Sequence, residues 1–95
     1  MSLDQLRYFV VVAEEGNIGR AAKRLCISQP PLSRQIKQLE AELGTSLFDR
    51  NARGVTLLPS GARLLPYARD ILSTVAAARH AFADEPSDGT VLGVE

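Results

Sequence analysis

The chain has 95 residues, of which 45% are hydrophobic, with three Phe, two Tyr and no Trp. A chain this short has room for one small domain, which excludes an enzyme built around a deep cleft, and a core made mainly of Leu, Ile, Val and Ala suits packed helices. The formal net charge is zero, yet residues 1–83 carry 11 basic and 7 acidic side chains, a net charge of +4. The sequence therefore predicts a basic, mostly helical domain followed by an acidic tail.

The cysteine and hydropathy patterns bear on location and cofactors. Cys26 is the only cysteine, so it cannot form an internal disulfide, and we expect it to be a small apolar plug in a turn. No His or Cys set has the spacing of a metal site. No segment reaches the roughly 20 apolar residues that span a bilayer. We therefore expect a cytoplasmic protein with no metal, no cofactor and no membrane partner.

The first part of the chain predicts two amphipathic helices. Apolar residues recur at helical spacing from Leu3 to Glu15, and Gly16 is placed to end this helix. Asn17 is a good N-cap for a second helix that runs to about Leu25. The three residues 26–28 are too few for anything but a tight turn into a third helix.

Two prolines fix the start of the third helix. Pro30 and Pro31 are tolerated only in a first turn, so the helix begins near Gln29 and is expected to end at Gly44. Ser28 cannot cap its usual amides if these belong to prolines, so its hydroxyl is available for another partner. One side of the helix is polar, and the opposite side carries the apolar residues Leu32, Ile36, Leu39 and Leu43.

Residues 47–57 predict a small β-hairpin. Two β-favouring runs, 47–50 and 55–57, bracket a turn that ends at Gly54. A long helix is then expected from about Pro59 to Phe82. Pro66 lies inside it and should either kink the helix or mark its true start.

The long helix has the pattern of a two-helix seam. Its apolar residues alternate gaps of four and three, and about 24 residues at 1.5 Å each would reach roughly 36 Å, more than so small a core can cover. We predict that it pairs with a second copy of the chain, with packing on its own domain as the alternative. The predicted dimer-interface residues are Leu64, Ala68, Ile71, Leu72, Val75, Ala78 and Phe82.

Two short helices joined by a three-residue turn indicate a helix-turn-helix, whose second helix lies in the major groove of DNA. A glutamine can pair with adenine, an arginine can bind guanine with two hydrogen bonds, and a proline ring can pack on a thymine methyl. The predicted base-reading residues are Gln29, Pro30, Ser33 and Arg34. Arg53, at the tip of the hairpin, can enter a narrow minor groove. The predicted phosphate contacts are Arg20, Lys23, Arg24, Ser28 and Lys37.

The stretch from Ala21 to Gly61, AAKRLCISQPPLSRQIKQLEAELGTSLFDRNARGVTLLPSG, resembles the signature region of LysR-type transcription regulators. The likeness extends from the Leu-Arg-Tyr-Phe run at residues 6–9 to the Leu-Leu-Pro-Tyr-Ala run at residues 64–68. It implies a mainly α fold, a winged helix-turn-helix of three helices and a hairpin wing, followed by a long dimerising linker helix. Within the family, the likeness is to regulators of aromatic-compound degradation.

The resemblance also implies a mode of action. The recognition helix, 29–43, would read the major groove, and the wing would use Arg50 together with Arg53. The protein would bind an interrupted palindromic operator in double-stranded DNA as a homodimer. Many members have a threonine just before the linker helix, where this chain has Leu58, so the expected N-cap is lost and Ser60 is the candidate substitute.

These expectations divide the chain into three parts. Residues 1–58 form the winged helix-turn-helix, 59–83 the linker helix, and 84–95 a hinge with the truncated start of an effector-binding domain. A small-molecule effector would bind only through that absent domain, so the chain is expected to be a piece of a longer regulator.

Two other interpretations stay open. The chain could be a free-standing winged-helix protein, such as an architectural or antitoxin-like factor. It could also be a helical protein-interaction module whose basic faces are only solvated. An enzyme fits least, because no nucleophile is paired with a base and no two carboxylates are placed for acid–base work.

Overall fold

The structure is a computed structural model that describes residues 1–83. Within these residues, four helices and one antiparallel hairpin follow one another, and this confirms the predicted fold class. The predicted hinge at 84–95 lies outside the described residues. The elements are α1 (Leu3–Glu15), α2 (Ile18–Leu25), α3 (Gln29–Leu43), β1 (Phe48–Asn51), β2 (Gly54–Leu57) and α4 (Pro59–Ala83).

Local capping sets the corner between α1 and α2. Gly16 adopts the left-handed conformation, with a φ of 63°, and its N–H donates to the carbonyl of Val12, which ends α1. The side chain of Asn17 then accepts a hydrogen bond from the N–H of Arg20 at 2.8 Å and starts α2. Both boundaries are as the sequence predicts.

The turn between α2 and α3 differs from the sequence-based expectation at Cys26. Cys26 has a φ of 59°, unusual for a residue with a side chain, and this backbone conformation caps α2. Its side chain is exposed, so the prediction of an apolar plug is wrong: the half-buried Leu25 and Ile27 on either side of it pack against the core instead. Ser28 makes no side-chain cap to α3, as predicted.

The core lies where α1, α2 and α3 meet and is closed by the hairpin and the first half of α4. Phe9, Leu32 and Ile36 are fully buried, and the ring of Phe9 lies 5.3 Å from that of Phe48, between centroids, which joins the hairpin to α1. Leu43, predicted on the buried side of α3, is 37% exposed because it lies in the last turn beyond the core.

The hairpin is short and regular. Phe48 pairs with Leu57 at its root, and Asn51 pairs with Gly54 at its tip, which leaves two residues in the turn. The carboxylate of Glu40, on α3, accepts hydrogen bonds from the main-chain N–H groups of Leu47 at 2.7 Å and Phe48 at 3.3 Å. Helix α3 therefore holds the root of the hairpin directly.

Helix α4 is one continuous element of 25 residues that passes through Pro66, so the alternative start at Pro66 is wrong. The helix begins at Pro59, which places Ser60 in its first turn and not at the N-cap. The hydroxyl of Ser60 donates to the carbonyl of Ser46. Gly61 is buried against the carbonyl of Leu47, where a Cβ atom would overlap that oxygen, so the start of α4 is packed tightly onto the hairpin.

Candidate nucleic-acid interface

The first three turns of α3 have a buried side and an exposed side. Leu32, Ile36 and Leu39 are fully buried against the other helices. Gln29, Pro30, Arg34 and Lys37 are exposed, whereas Ser33 is half-buried. The predicted base-reading residues are therefore brought together on one surface, where Ser33 is less exposed than the other three. Because the opposite side is packed in the core, this surface is held at a fixed orientation.

A groove of about 430 Å³ lies between α2 and the start of α3. Its lining brings together three predicted phosphate contacts, Arg20 and Lys23 from α2 and Ser28 from the turn before α3, with Gln29, the first residue of α3. Gly19 forms part of the wall: a Cβ atom there would lie 3.1 Å from the side-chain oxygen of Asn17 and 3.4 Å from the side-chain nitrogen of Gln29.

Ion pairs separate the basic residues into two groups. Among residues 1–83, Lys23, Arg34, Lys37, Arg50 and Arg53 have no ion pair. Arg20 donates to the main-chain carbonyl of Glu15 at 2.9 Å, yet most of its side chain is exposed. Arg24 is held more firmly, 2.8 Å from a carboxylate oxygen of Glu14 and 3.3 Å from one of Glu15. Arg24 is therefore engaged within the domain.

Glu14 has a second partner in α4. Its other carboxylate oxygen accepts a hydrogen bond from Arg69 at 3.1 Å. The hydrogen bonds from Arg24 and Arg69 lower the pKa of Glu14 below its ordinary value, and the hydrogen bond with Glu14 raises that of Arg24. Nothing in the sequence pattern marks this contact, because Glu14 and Arg69 are 55 residues apart in the chain.

The wing carries its two arginines at and near the tip. Arg50 lies on β1 opposite Val55, and Arg53 lies in the turn; both are exposed. The side-chain oxygen of Asn51 accepts a hydrogen bond from the main-chain N–H of Arg53 at 3.0 Å, which orders the turn. The wing thus presents positive charge on a defined backbone.

Helix α4 has two apolar faces that serve different purposes. Ala68 is fully buried in the core of its own domain, so its prediction as a dimer-interface residue is wrong. Leu64 and Leu72 are partly buried and pack against the same core. The sequence pattern does not distinguish this packing face from the neighbouring face, because both are apolar and they are adjacent on the helix. The sequence therefore predicts a single seam.

The second face of α4 is open. Ile71 and Phe82 are 40% and 74% exposed, and Ala78 is exposed between them. Tyr67, which sequence reasoning missed, is 68% exposed at the other end of the same stripe. Large apolar side chains exposed along one helix face are typical of an interaction surface.

Comparison with known proteins decides the family. A family model described as "Bacterial regulatory helix-turn-helix protein, lysR family" matches residues 3–62. The chain belongs to the LysR family. Its helix-turn-helix is a DNA-binding domain of this family, as the sequence predicts.

Relatives of this LysR-family chain include the HTH-type transcriptional regulator TfdS of Cupriavidus pinatubonensis, which is 61% identical over 76% of the chain and 24% of the relative. The chain therefore spans about a quarter of the length of that curated relative. Among solved structures, the DNA complex of the CbnR DNA-binding domain superposes with a TM-score of 0.82 at 46% identity, over 85% of this chain and 93% of that one. The complex of the BenM DNA-binding domain with its benA site has a TM-score of 0.82 at 47% identity, over 87% and 96%.

Within the residues that the structure describes, no helix is long and apolar enough to cross a membrane, and no group of three or more metal-ligating side chains lies together.

Proposed function

We propose that this LysR-family domain binds an interrupted palindromic operator as a homodimer, with α3 in the major groove and the tip of the wing in the minor groove. The observation that carries the proposal is the two-sided packing of α3. Its apolar side is fully buried while Gln29, Pro30 and Arg34 face solvent together. A rigid helix with a compact polar surface fits base-pair edges, whereas a loosely held one would lose binding energy to ordering.

The exposed side chains of α3 suit different bases. Arg34 can bind O6 and N7 of a guanine with two hydrogen bonds, and Gln29 can bind N6 and N7 of an adenine. The ring of Pro30 can contact a thymine methyl group. Ser33, which is half-buried on the same surface, is assigned a hydrogen bond to a neighbouring base edge.

The phosphate contacts are assigned to the basic groups around that surface. Arg20, Lys23 and Ser28 lie on the wall of the groove beside it, and Lys37 is exposed further along α3. Arg50 and Arg53 on the wing would reach the adjacent minor groove. Arg24 is the exception: its two glutamate partners offset its charge, so we assign it a role within the domain and not the phosphate contact that its sequence position suggests.

The homodimer is assigned to the open face of α4. Ile71, Val75, Ala78 and Phe82 remain from the predicted interface, and Tyr67 joins them. Helix α4 would extend about 37 Å at 1.5 Å per residue, and every residue from 76 to 83 is exposed. A second copy would cover this stripe and place two recognition helices about one helical turn of DNA apart.

The intact regulator is proposed to act in the bacterial cytoplasm, at the nucleoid. A small-molecule effector would be bound by the part of the regulator beyond this chain. The resemblance to regulators of aromatic-compound degradation favours control of such genes, and it concerns that larger protein.

Selection of bound sites from random duplex DNA tests the proposal. The expected result is an interrupted consensus with two-fold symmetry. A variant with Arg34 and Gln29 both changed to Ala should recover no consensus, whereas the matched control Arg79→Ala, on the distal part of α4, should recover the same one. Failure of the unaltered chain to enrich any sequence would contradict the proposal.

A salt titration separates DNA binding from the alternative of a protein-interaction module. Binding through several phosphates weakens linearly with the logarithm of salt concentration, with a slope of about 0.9 per contact. The three cations assigned to phosphates, Arg20, Lys23 and Lys37, predict a slope of about 2.7 for each protomer. A slope near zero would favour the protein-interaction module.

A further inference from the structure

Glu14 joins two parts of the domain that have different tasks. One carboxylate oxygen lies 2.8 Å from Arg24, on the first helix of the helix-turn-helix. The other lies 3.1 Å from Arg69, on α4. A single side chain at the end of α1 is therefore hydrogen-bonded at once to the DNA-reading unit and to the helix proposed to pair with a second copy.

The bridge lies beside the apolar contact between α1 and α4. Ala68, the residue before Arg69, is fully buried in the core, and Leu64, Leu65 and Leu72 of the same helix pack against that core. Apolar contact is non-directional, so this packing holds α4 against the domain but fixes its angle less sharply than a hydrogen bond does. The hydrogen bonds through Glu14 are directional, so they resist a rotation of α4 against α1.

The angle between α4 and the helix-turn-helix matters because a homodimer is symmetric. If two copies pair through α4, any rotation of α4 against its own domain is repeated in the second copy. The two α3 helices then move relative to each other, and the distance between the half-sites that they can reach changes.

We propose that Glu14 is a positioning residue which, through Arg69 and Arg24, fixes the angle of α4 and thereby sets the half-site separation that the dimer accepts. The inference rests on the proposed homodimeric function. The inference also explains why Arg24 is engaged within the domain. Arg24 anchors Glu14 to α2, so the position of α4 is fixed relative to the helix-turn-helix.

The test compares binding to a duplex with one half-site and binding to duplexes with two half-sites. The duplexes carry either a single half-site from the selection experiment or two half-sites whose separation increases in steps of one base pair. The variants are Glu14→Gln and Arg69→Gln, which remove the bridge, and Arg69→Lys, which retains a cation able to make the single hydrogen bond. Arg7→Gln is the matched control, because Arg7 forms a surface ion pair with Asp4 that stays inside α1.

The expected outcome distinguishes an effect on the half-site separation from an effect on base recognition. Glu14→Gln and Arg69→Gln should bind the single half-site within about twofold of the unaltered chain, because exposed ion pairs change stability little. Their preference for the best separation over its neighbours should fall by about three- to tenfold, since each dimer loses the bridge twice. Arg69→Lys and Arg7→Gln should keep the preference, and circular dichroism should show all four variants folded.

Two results would overturn the inference in different ways. If the unaltered chain prefers one separation and Glu14→Gln and Arg69→Gln prefer it equally, the bridge does not set the separation, and the proposed dimeric function stands. If the unaltered chain shows no preference, the proposed dimer on an interrupted operator is itself wrong, and this inference fails with it.

Discussion

The main-chain carbonyl of Gly16 accepts a hydrogen bond from the main-chain N–H of Val55 at 3.1 Å. This contact ties the second strand of the wing to the corner between α1 and α2. Gly54, one residue earlier, has a φ of 128°, and a Cβ atom at that position would overlap the same carbonyl oxygen. The position of the wing relative to α3 therefore depends on a backbone approach that only glycine permits.

Replacing Gly54 should displace the wing. We expect Gly54→Ala to lower the free energy of unfolding by about 1–3 kcal/mol, because the alanine meets both an unfavourable φ and a backbone oxygen. Urea denaturation measures the loss. Gly44→Ala is the matched control, since Gly44 also has a positive φ but no atom within 4 Å of an added Cβ. An equal or larger loss for Gly44→Ala would contradict the importance of the wing contact.

Replacing Glu40 should lower the free energy of unfolding more than replacing Glu42, its exposed neighbour on α3. Glu40→Ala leaves the N–H groups of Leu47 and Phe48 without their acceptor, and we expect a loss of about 1–3 kcal/mol in the free energy of unfolding. Glu42→Ala removes only a surface pair with the chain terminus and should cost less than about 1 kcal/mol. Indistinguishable denaturation midpoints for the two variants would show that Glu40 does not hold the wing.

The lowered pKa of Glu14 predicts an acid dependence of stability. A carboxyl group whose pKa is lower in the folded state stabilises the fold above its unfolded pKa and loses that contribution as the pH falls through the folded pKa. The free energy of unfolding should therefore decrease below pH 4.5, the ordinary pKa of the group, and the decrease should be smaller in Glu14→Gln. Thermal unfolding measured at several pH values checks this, and parallel curves for the two proteins would argue against it.

The open face of α4 predicts where dimerisation can be broken without unfolding the domain. Phe82 is 74% exposed in the single chain, so Phe82→Asp should leave the helical content unchanged while it shifts the chain towards monomer in sedimentation equilibrium. Burial of a phenylalanine stabilises by about 1.5–3 kcal/mol, and two are covered in each dimer. Ala81→Asp is the control on a neighbouring face and should leave the dimer intact. Equal shifts towards monomer in the two variants would show that Phe82 is not part of the interface.

The parts of the fold that sequence predicts well are those fixed by local chemistry. Gly16 and Gly44 end their helices because glycine adopts the left-handed conformation, and Asn17 starts α2 by capping it. Pro30 and Pro31 place the start of α3. Each of these signals acts within a few residues, so the boundaries of the first three helices are readable from composition and order alone.

The parts that sequence predicts poorly depend on contacts between distant residues. Ala68 belongs to the same apolar pattern as Phe82, yet the first is fully buried in its own domain and the second is exposed. Arg24 carries the same charge as Lys23, and only the fold brings Glu14 beside it. The division of α4 into a packing face and an open face, and of the basic residues into held and available groups, arises from tertiary structure.

The central claim, that the exposed side of α3 reads base pairs, is tested most directly by comparing Arg34→Ala with Lys37→Ala on the selected operator and on random duplex DNA. The account predicts that Arg34→Ala loses about 1–3 kcal/mol of binding free energy on the operator only, with relaxed preference at one base pair. Lys37→Ala should weaken binding to both DNAs alike and reduce the salt slope by about 0.9. Equal losses on operator and random DNA for Arg34→Ala would contradict the account.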